Sequence, residues 1–240
     1  MTAKIGLIGG VGWPATVAYY ETICRAVAGP EAIAAPDMSI ESLDMSKALE
    51  ALSKAYDEES WATFDTYFST ALDRLAASGC GVAAIASVTP HVRLSAITRN
   101  SPIPVVSVVD ATADILALHR PKQAVVLGTR VTMTGTLFDK ALESLGIAMI
   151  KPDDKDIAAL TELLNLYFYS GRGPDGRGAL IEYARSIAPN PDDVLFILAC
   201  TDLTPAFPET IGQALFVSDG IQFLDTTAAH VDAILRARDI

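Results

Sequence analysis

Two short segments of this chain combine residue types that move protons. The first is ACTD at 199–202, where Cys200 follows an apolar run, Thr201 adds a hydroxyl and Asp202 an acid. A cysteine at the point where a strand passes into a helix N-terminus faces unpaired N–H groups. These lower its thiol pKa and make a thiolate accessible. The second is SVTPH at 87–91. Ser87 donates and accepts hydrogen bonds but is a poor base unless a neighbour activates it, and Thr89 adds a second hydroxyl. His91 is either that activator or a helix residue with a hydrogen bond of its own. Two glycine-rich turns accompany these segments. GGVGWPAT at 9–16 contains Gly10 and Val11 and leads through Pro14 into a helix start. Its glycines let the backbone approach a ligand, and the helix start offers N–H groups to an anion. GTRVTMTGT at 128–136 presents Thr129 and Thr132, either as donors to a ligand or as capping threonines in a plain turn. Neither turn has the G-x-G-x-x-G spacing of a dinucleotide site.

The elements that must position these residues are legible as alternating patterns. Strands are expected at Ile5–Gly9, Met38–Leu43, Val82–Ser87, Val105–Val108, Ala124–Gly128, Ile147–Ile150 and Val194–Ala199. Several are continuous apolar runs, as in parallel strands covered on both faces. Helix-period segments at Trp61–Ala77, Asp156–Tyr169 and Asp225–Arg236 lie among them, and the alternation reads as doubly wound α/β. The second half echoes the first at a spacing of roughly 115 residues. Gly9 falls opposite Gly128, Ser87 opposite Cys200, and Asp110 opposite Asp225. Ligands of open α/β sheets bind beyond the carboxyl ends of the strands. Two such halves would therefore enclose one cleft, with Ser87 and Cys200 reaching a ligand from opposite sides. The expected division is 1–115, joined by the C-terminal helix 221–240, and 116–220.

Composition narrows the partners. A net charge of −11 with no Lys/Arg cluster argues against nucleic acid. No apolar run reaches the roughly 18–20 residues that span a bilayer, and MTAKIGLIGG reads as a first strand rather than a signal peptide. A cytoplasmic protein is expected, without membrane association. Cys24, Cys80 and Cys200 are widely spaced, odd in number and lack C-x-x-C, so neither a disulfide framework nor a metal site is expected. Cys24 and Cys80 read as small buried hydrophobes. A homodimer is expected only as the common case among soluble oligomers.

As a set, IGLIGGVGWPAT, GTRVTM, ACTDL and LDTTAAH resemble the aspartate/glutamate/hydantoin racemase family, over essentially the whole chain. The resemblance implies two flavodoxin-like domains about a pseudo-twofold axis, with the substrate cleft between them. It implies no pyridoxal phosphate or other cofactor, and a small amino acid or carboxylate as substrate. It also implies two cysteines flanking the substrate α-carbon, one removing a proton and the other returning one on the opposite face. On this resemblance Cys200 is the second catalytic cysteine and Thr201 the carboxylate-binding threonine. Asp202 stands where glutamate is usual. Thr89 and His91 match the first motif, and Gly10, Val11, Thr129 and Thr132 take cleft-lining positions. Ser87 stands where the first cysteine is usual, and Val88 where asparagine is. The lysine of acidic-substrate members has no counterpart in AALTELLNLYF at 158–168, which leaves Lys47, Lys54 and Arg172 as candidates.

The expected activity is cofactor-independent amino-acid racemisation, with slow inversion and faster exchange on the Cys200 face. A one-cysteine lyase, such as a malonate-type decarboxylase, forms the same planar enediolate and needs only one proton donor. A non-catalytic small-acid binding protein is the third reading.

Overall fold

The computed structural model describes residues 2–29, 35–53, 58–188, 190 and 194–239. The first half runs β1 (Ile5–Gly9), α1 (Trp13–Ala28), β2 (Met38–Ser42), α2 (Met45–Ser53), α3 (Glu58–Ala77) and β3 (Val82–Ile85). A 3-10 turn at Thr89–Arg93, α4 (Leu94–Ile97), β4 (Val105–Val106) and α5 (Val108–His119) complete it. The second half runs β5 (Gln123–Leu127), α6 (Arg130–Thr134), α7 (Asp139–Ser144), β6 (Ala148–Ile150) and α8 (Asp154–Leu163). A π-turn at Leu164–Phe168, α9 (Gly173–Ile187) and β7 (Val194–Leu198) follow. The chain then passes through a 3-10 segment at Thr201–Ala206 to β8 (Leu215–Ser218), β9 (Ile221–Asp225) and α10 (Thr226–Arg238).

These strands form two sheets, in the orders β2-β1-β3-β4 and β6-β5-β7-β9-β8. Every pairing is parallel except β8 with β9. The seven expected strands are all present, most of them shortened by a residue or two at one end. β8 and β9 were not expected; β8 is an edge strand with Val217 exposed, and its short alternating stretch carries little signal.

Both sheets are covered on two faces. On the first, α3 packs Phe64, Phe68 and Leu72 against Ile8, Ala83 and Ile85. Its other face meets Tyr19 and Ile23 of α1, together with Val231 and Ile234 of α10. On the second sheet, Ile157, Leu160, Leu180 and Ala184 of α8 and α9 cover one face. Val108 and Leu116 of α5 and Leu142 of α7 cover the other. The helix that follows β4 of the first sheet thus packs on the second, and the helix that follows β9 of the second packs on the first. This reciprocal crossing ties the halves through buried apolar surface.

The two crossing helices start differently. Asp225 caps α10, accepting from the Thr227 N–H at 2.8 Å. Ser107 caps α5, accepting from the Asp110 N–H at 3.1 Å. The structural counterpart of Asp225 is therefore Ser107, not Asp110, which lies exposed one turn further on. No described helix is long and apolar enough to cross a membrane.

Candidate active site between the two sheets

The carboxyl ends of β1, β3, β5 and β7 converge on one cavity of about 60 Å³. Val11 enters from the turn after β1, Ser87 to Pro90 from the end of β3, and Thr129 from the end of β5. Ala199, Cys200, Thr201 and Asp202 enter from the end of β7. Met45, Ala48, Leu49 and Leu52 of α2, Phe64 of α3 and Tyr169 close it. A larger hollow of about 730 Å³ lies on the outer side of α2 and α3, away from the cysteine, and Lys47 lines it.

Of the residues singled out in the sequence, Val11, Ser87, Thr89, Thr129, Cys200, Thr201 and Asp202 all line the cavity. Gly10, His91 and Thr132 stand behind it. Gly10, at φ +82°, donates its N–H to Thr16 Oγ1 at 2.9 Å and lies so close to the Leu43 backbone that a side chain would collide there. Its N–H is therefore committed within the turn. Thr132 Oγ1 is 3.1 Å from Thr129 Oγ1, which in turn lies 3.0 Å from Thr89 Oγ1 across the two halves. Thr129 also caps α6, as the capping reading of that turn expected. Thr201 Oγ1 donates to the Ala86 carbonyl at 3.3 Å, a second tie between halves.

His91 does not activate Ser87. Its Nε2 accepts the Val108 N–H at 3.2 Å, which requires Nδ1 to carry the proton donated to the Ser87 carbonyl at 3.0 Å. Both ring nitrogens are spent on backbone, and burial lowers the imidazole to about 4. His91 braces the Ser87 loop as a neutral residue. The Ser87 side chain, by contrast, makes no hydrogen bond to any described residue.

Cys200 behaves differently from the sequence expectation. The segment after it is a 3-10 turn of six residues, Thr201–Ala206, not an α-helix. Burial, and then the negative charge of Asp202, push the thiol up; the Asp202 N–H and the Tyr169 hydroxyl only partly oppose this. Desolvation outweighs the backbone N–H beside it, which favours the thiol over the thiolate. Its Sγ lies 4.0 Å from Asp202 Oδ2. Asp202 Oδ1 accepts the Ala15 N–H at 3.1 Å, and a Cβ on Gly12, at φ +117°, would overlap Oδ2. The first glycine turn therefore leaves room for the acid of the second half.

Tyr169 was missed in the sequence. It follows the π-turn that interrupts the expected helix at 156–169, and its N–H reaches the Leu164 carbonyl at 2.9 Å. One extra residue in the turn re-aims its side chain toward the sulfur, and such π-turns recur at functional sites. A tyrosine after an amphipathic helix gives no sequence signal for this. Of the other cysteines, Cys80 is buried as expected, but Cys24 is half-buried, on the same helix as Tyr20. Among the described residues, no lysine, arginine or histidine lines the cavity. Arg172 bonds the Leu166 carbonyl and stacks on Tyr167, and Lys54 lies outside the described residues.

Burial raises Asp202 from 3.8 to about 7, against the Ala15 hydrogen bond. Between those values the folded protein keeps a proton that the unfolded chain releases. This group's contribution to stability is complete below about pH 4 and is lost as pH rises to about 7. We expect Asp202→Asn to remove that loss, on the order of 3 kcal/mol, when urea unfolding is compared at pH 4.5 and 7.5. Asp225, raised to about 6 by burial, and His91 are present in both proteins and cancel in the comparison. Parallel changes in wild type and variant would mean that Asp202 is ionised throughout.

A family model described as Asp/Glu/Hydantoin racemase matches residues 8–234. Among solved structures, an aspartate racemase homologue from Pyrococcus horikoshii is 23% identical, with a TM-score of 0.74, covering 99% of this chain and 100% of that one. The aspartate racemase of Picrophilus torridus is 18% identical, with a TM-score of 0.78 and 98% and 94% coverage. The glutamate racemase of Campylobacter jejuni is 20% identical, with a TM-score of 0.63 and 99% and 86% coverage. These likenesses establish the fold. No curated protein matches the sequence significantly.

Proposed function

The chain belongs to the Asp/Glu/Hydantoin racemase family, and on that premise we propose that it is an amino-acid racemase in which Cys200 and Ser87 act on opposite faces of the substrate α-carbon. The observation that carries this reading is that both side chains line one cavity between the two sheets. The matching strand orders support a pseudo-twofold axis relating the halves, but the expected division at 115 and 221 shifts: α5 (Val108–His119) packs on the second sheet, Ile221–Asp225 stay in that sheet as β9, and only α10 returns to the first. A cytoplasmic homodimer is the form that goes with this reading.

In the proposed reaction the substrate carboxylate accepts hydrogen bonds from the Thr89 and Thr129 side of the cavity, the Thr201 hydroxyl being donated to the Ala86 carbonyl, and the substrate ammonium lies near Asp202. That positive charge lowers the neighbouring thiol, which burial alone keeps high. The Cys200 thiolate takes the Cα proton, and the bonding pair moves into the carboxylate as an enediolate. The Ser87 hydroxyl then gives its proton to the opposite face and recovers one from water, and the hydroxide so formed is neutralised by the proton that Cys200 releases as its thiolate is restored. Because enantiomers are isoenergetic, kcat/KM is equal in both directions, and a weak serine acid slows both alike.

The test is incubation of single enantiomers in deuterium oxide. Deuterium at Cα accompanied by inversion is the expected result. The apolar wall at Val88 and Leu49 favours one second reading, a malonate-type decarboxylase. Carbon dioxide release from a substituted malonate without amino-acid exchange would establish it instead.

A further inference from the structure

The cavity is divided by chemistry. Its polar groups sit at the strand ends: Ser87, Thr89, Thr129, Cys200, Thr201 and Asp202. Met45, Leu49 and Leu52 of α2 and Phe64 of α3 line the rest, with Val88 beside Ser87, and no cation is among the described lining residues. Arg93 pairs with Asp65 at 2.7 Å, Arg130 with Asp154 at 3.0 Å, and Lys47 of α2 lines the other, larger hollow. A side-chain carboxylate laid against this wall would lose water and gain no counter-charge, which is strongly unfavourable. An aliphatic side chain would instead bury the same wall, including the half of Leu49 that is open to solvent.

We propose that the substrate is an α-amino acid with an aliphatic or otherwise uncharged side chain, seated against the α2 wall, and not a dicarboxylic amino acid. This inference rests on the racemase reading of the same cavity. The polar strand ends hold the groups common to every amino acid, and α2 reads the part that differs. Leu49 is the residue best placed to test this, since its rim position tolerates substitution without disturbing the core.

The experiment measures Cα deuterium exchange of valine, leucine, methionine, aspartate and glutamate, both enantiomers, with the full chain. Binding of leucine and aspartate is measured in parallel by calorimetry. The aliphatic substrates are expected to exceed the acidic ones by about 100-fold in kcat/KM, and Leu49→Lys to narrow that ratio at least tenfold, an effect in the range that pocket contacts supply. Aspartate or glutamate exchanging as fast as leucine overturns this inference and leaves the racemase reading standing. Exchange of no amino acid defeats the racemase reading, and binding then decides the inference. Leucine bound more tightly than aspartate upholds it; equal, reversed or absent leucine binding overturns it.

Discussion

Cys200→Ala is expected to lower Cα deuterium exchange by about 10²–10⁴-fold, the range in which a positioned acid/base group contributes. The loss should appear in kcat/KM for both enantiomers, because each proton removal or return on that face passes through the same sulfur. The fold should survive. Cys200 sits at the cavity wall, its backbone is extended at φ −122°, and loss of one sulfur deletes little packing. Thermal unfolding of the variant checks this, and a small shift in Tm with lost exchange isolates the chemistry. Cys200→Ser sharpens the result. It keeps size and hydrogen bonding but replaces a thiol of reference pKa near ~8.5 with a far weaker acid, so it should fail nearly as badly as alanine. Exchange undiminished in either variant would remove Cys200 from the reaction and with it the assignment of the cavity.

The second large effect runs the other way. Ser87→Cys is expected to raise the rate of inversion by about 10²–10³-fold, while exchange on the Cys200 face changes little. The wild-type hydroxyl must pass through an alkoxide when it acts as base, whereas a thiol ionises at modest cost. The larger atom has room, since the Ser87 side chain faces the cavity and makes no hydrogen bond to a described residue. His91 keeps bracing the loop through the Ser87 carbonyl, which the substitution leaves in place. Comparing deuterium incorporation with retention against incorporation with inversion separates the two faces. Inversion unchanged by the new thiol would place residue 87 on the wrong side of the substrate, and the two-face mechanism would fall.

Much of this was legible before the fold. The buried strands β1, β3, β5 and β7 are continuous apolar runs, and chain order places Ser87 and Cys200 after β3 and β7. The matching turns at 9–16 and 128–136 pointed to the same end of each sheet. Other features were not legible, because they depend on a partner far along the chain. The pairing of Asp110 with Asp225 looked right by sequence, yet the caps make Ser107 the counterpart. The apolar wall of α2 has an ordinary amphipathic pattern, and nothing local says that Leu49 faces a cavity and not a core.

Taken alone, the amino-acid sequence determined the alternation of elements, the doubled architecture and which candidate groups stand at the strand ends, since these are set by local periodicity and residue type. Tertiary structure alone decided their state. It crossed α5 and α10 between the sheets, turned both nitrogens of His91 to backbone, re-aimed Tyr169 through a π-turn and buried the Cys200 thiol until desolvation outweighed the amides beside it. The physical reason is one of range. Strand and turn preferences act over a few residues, whereas the cost of holding a charge depends on everything that displaces water around it, and here that comes from both halves of the chain.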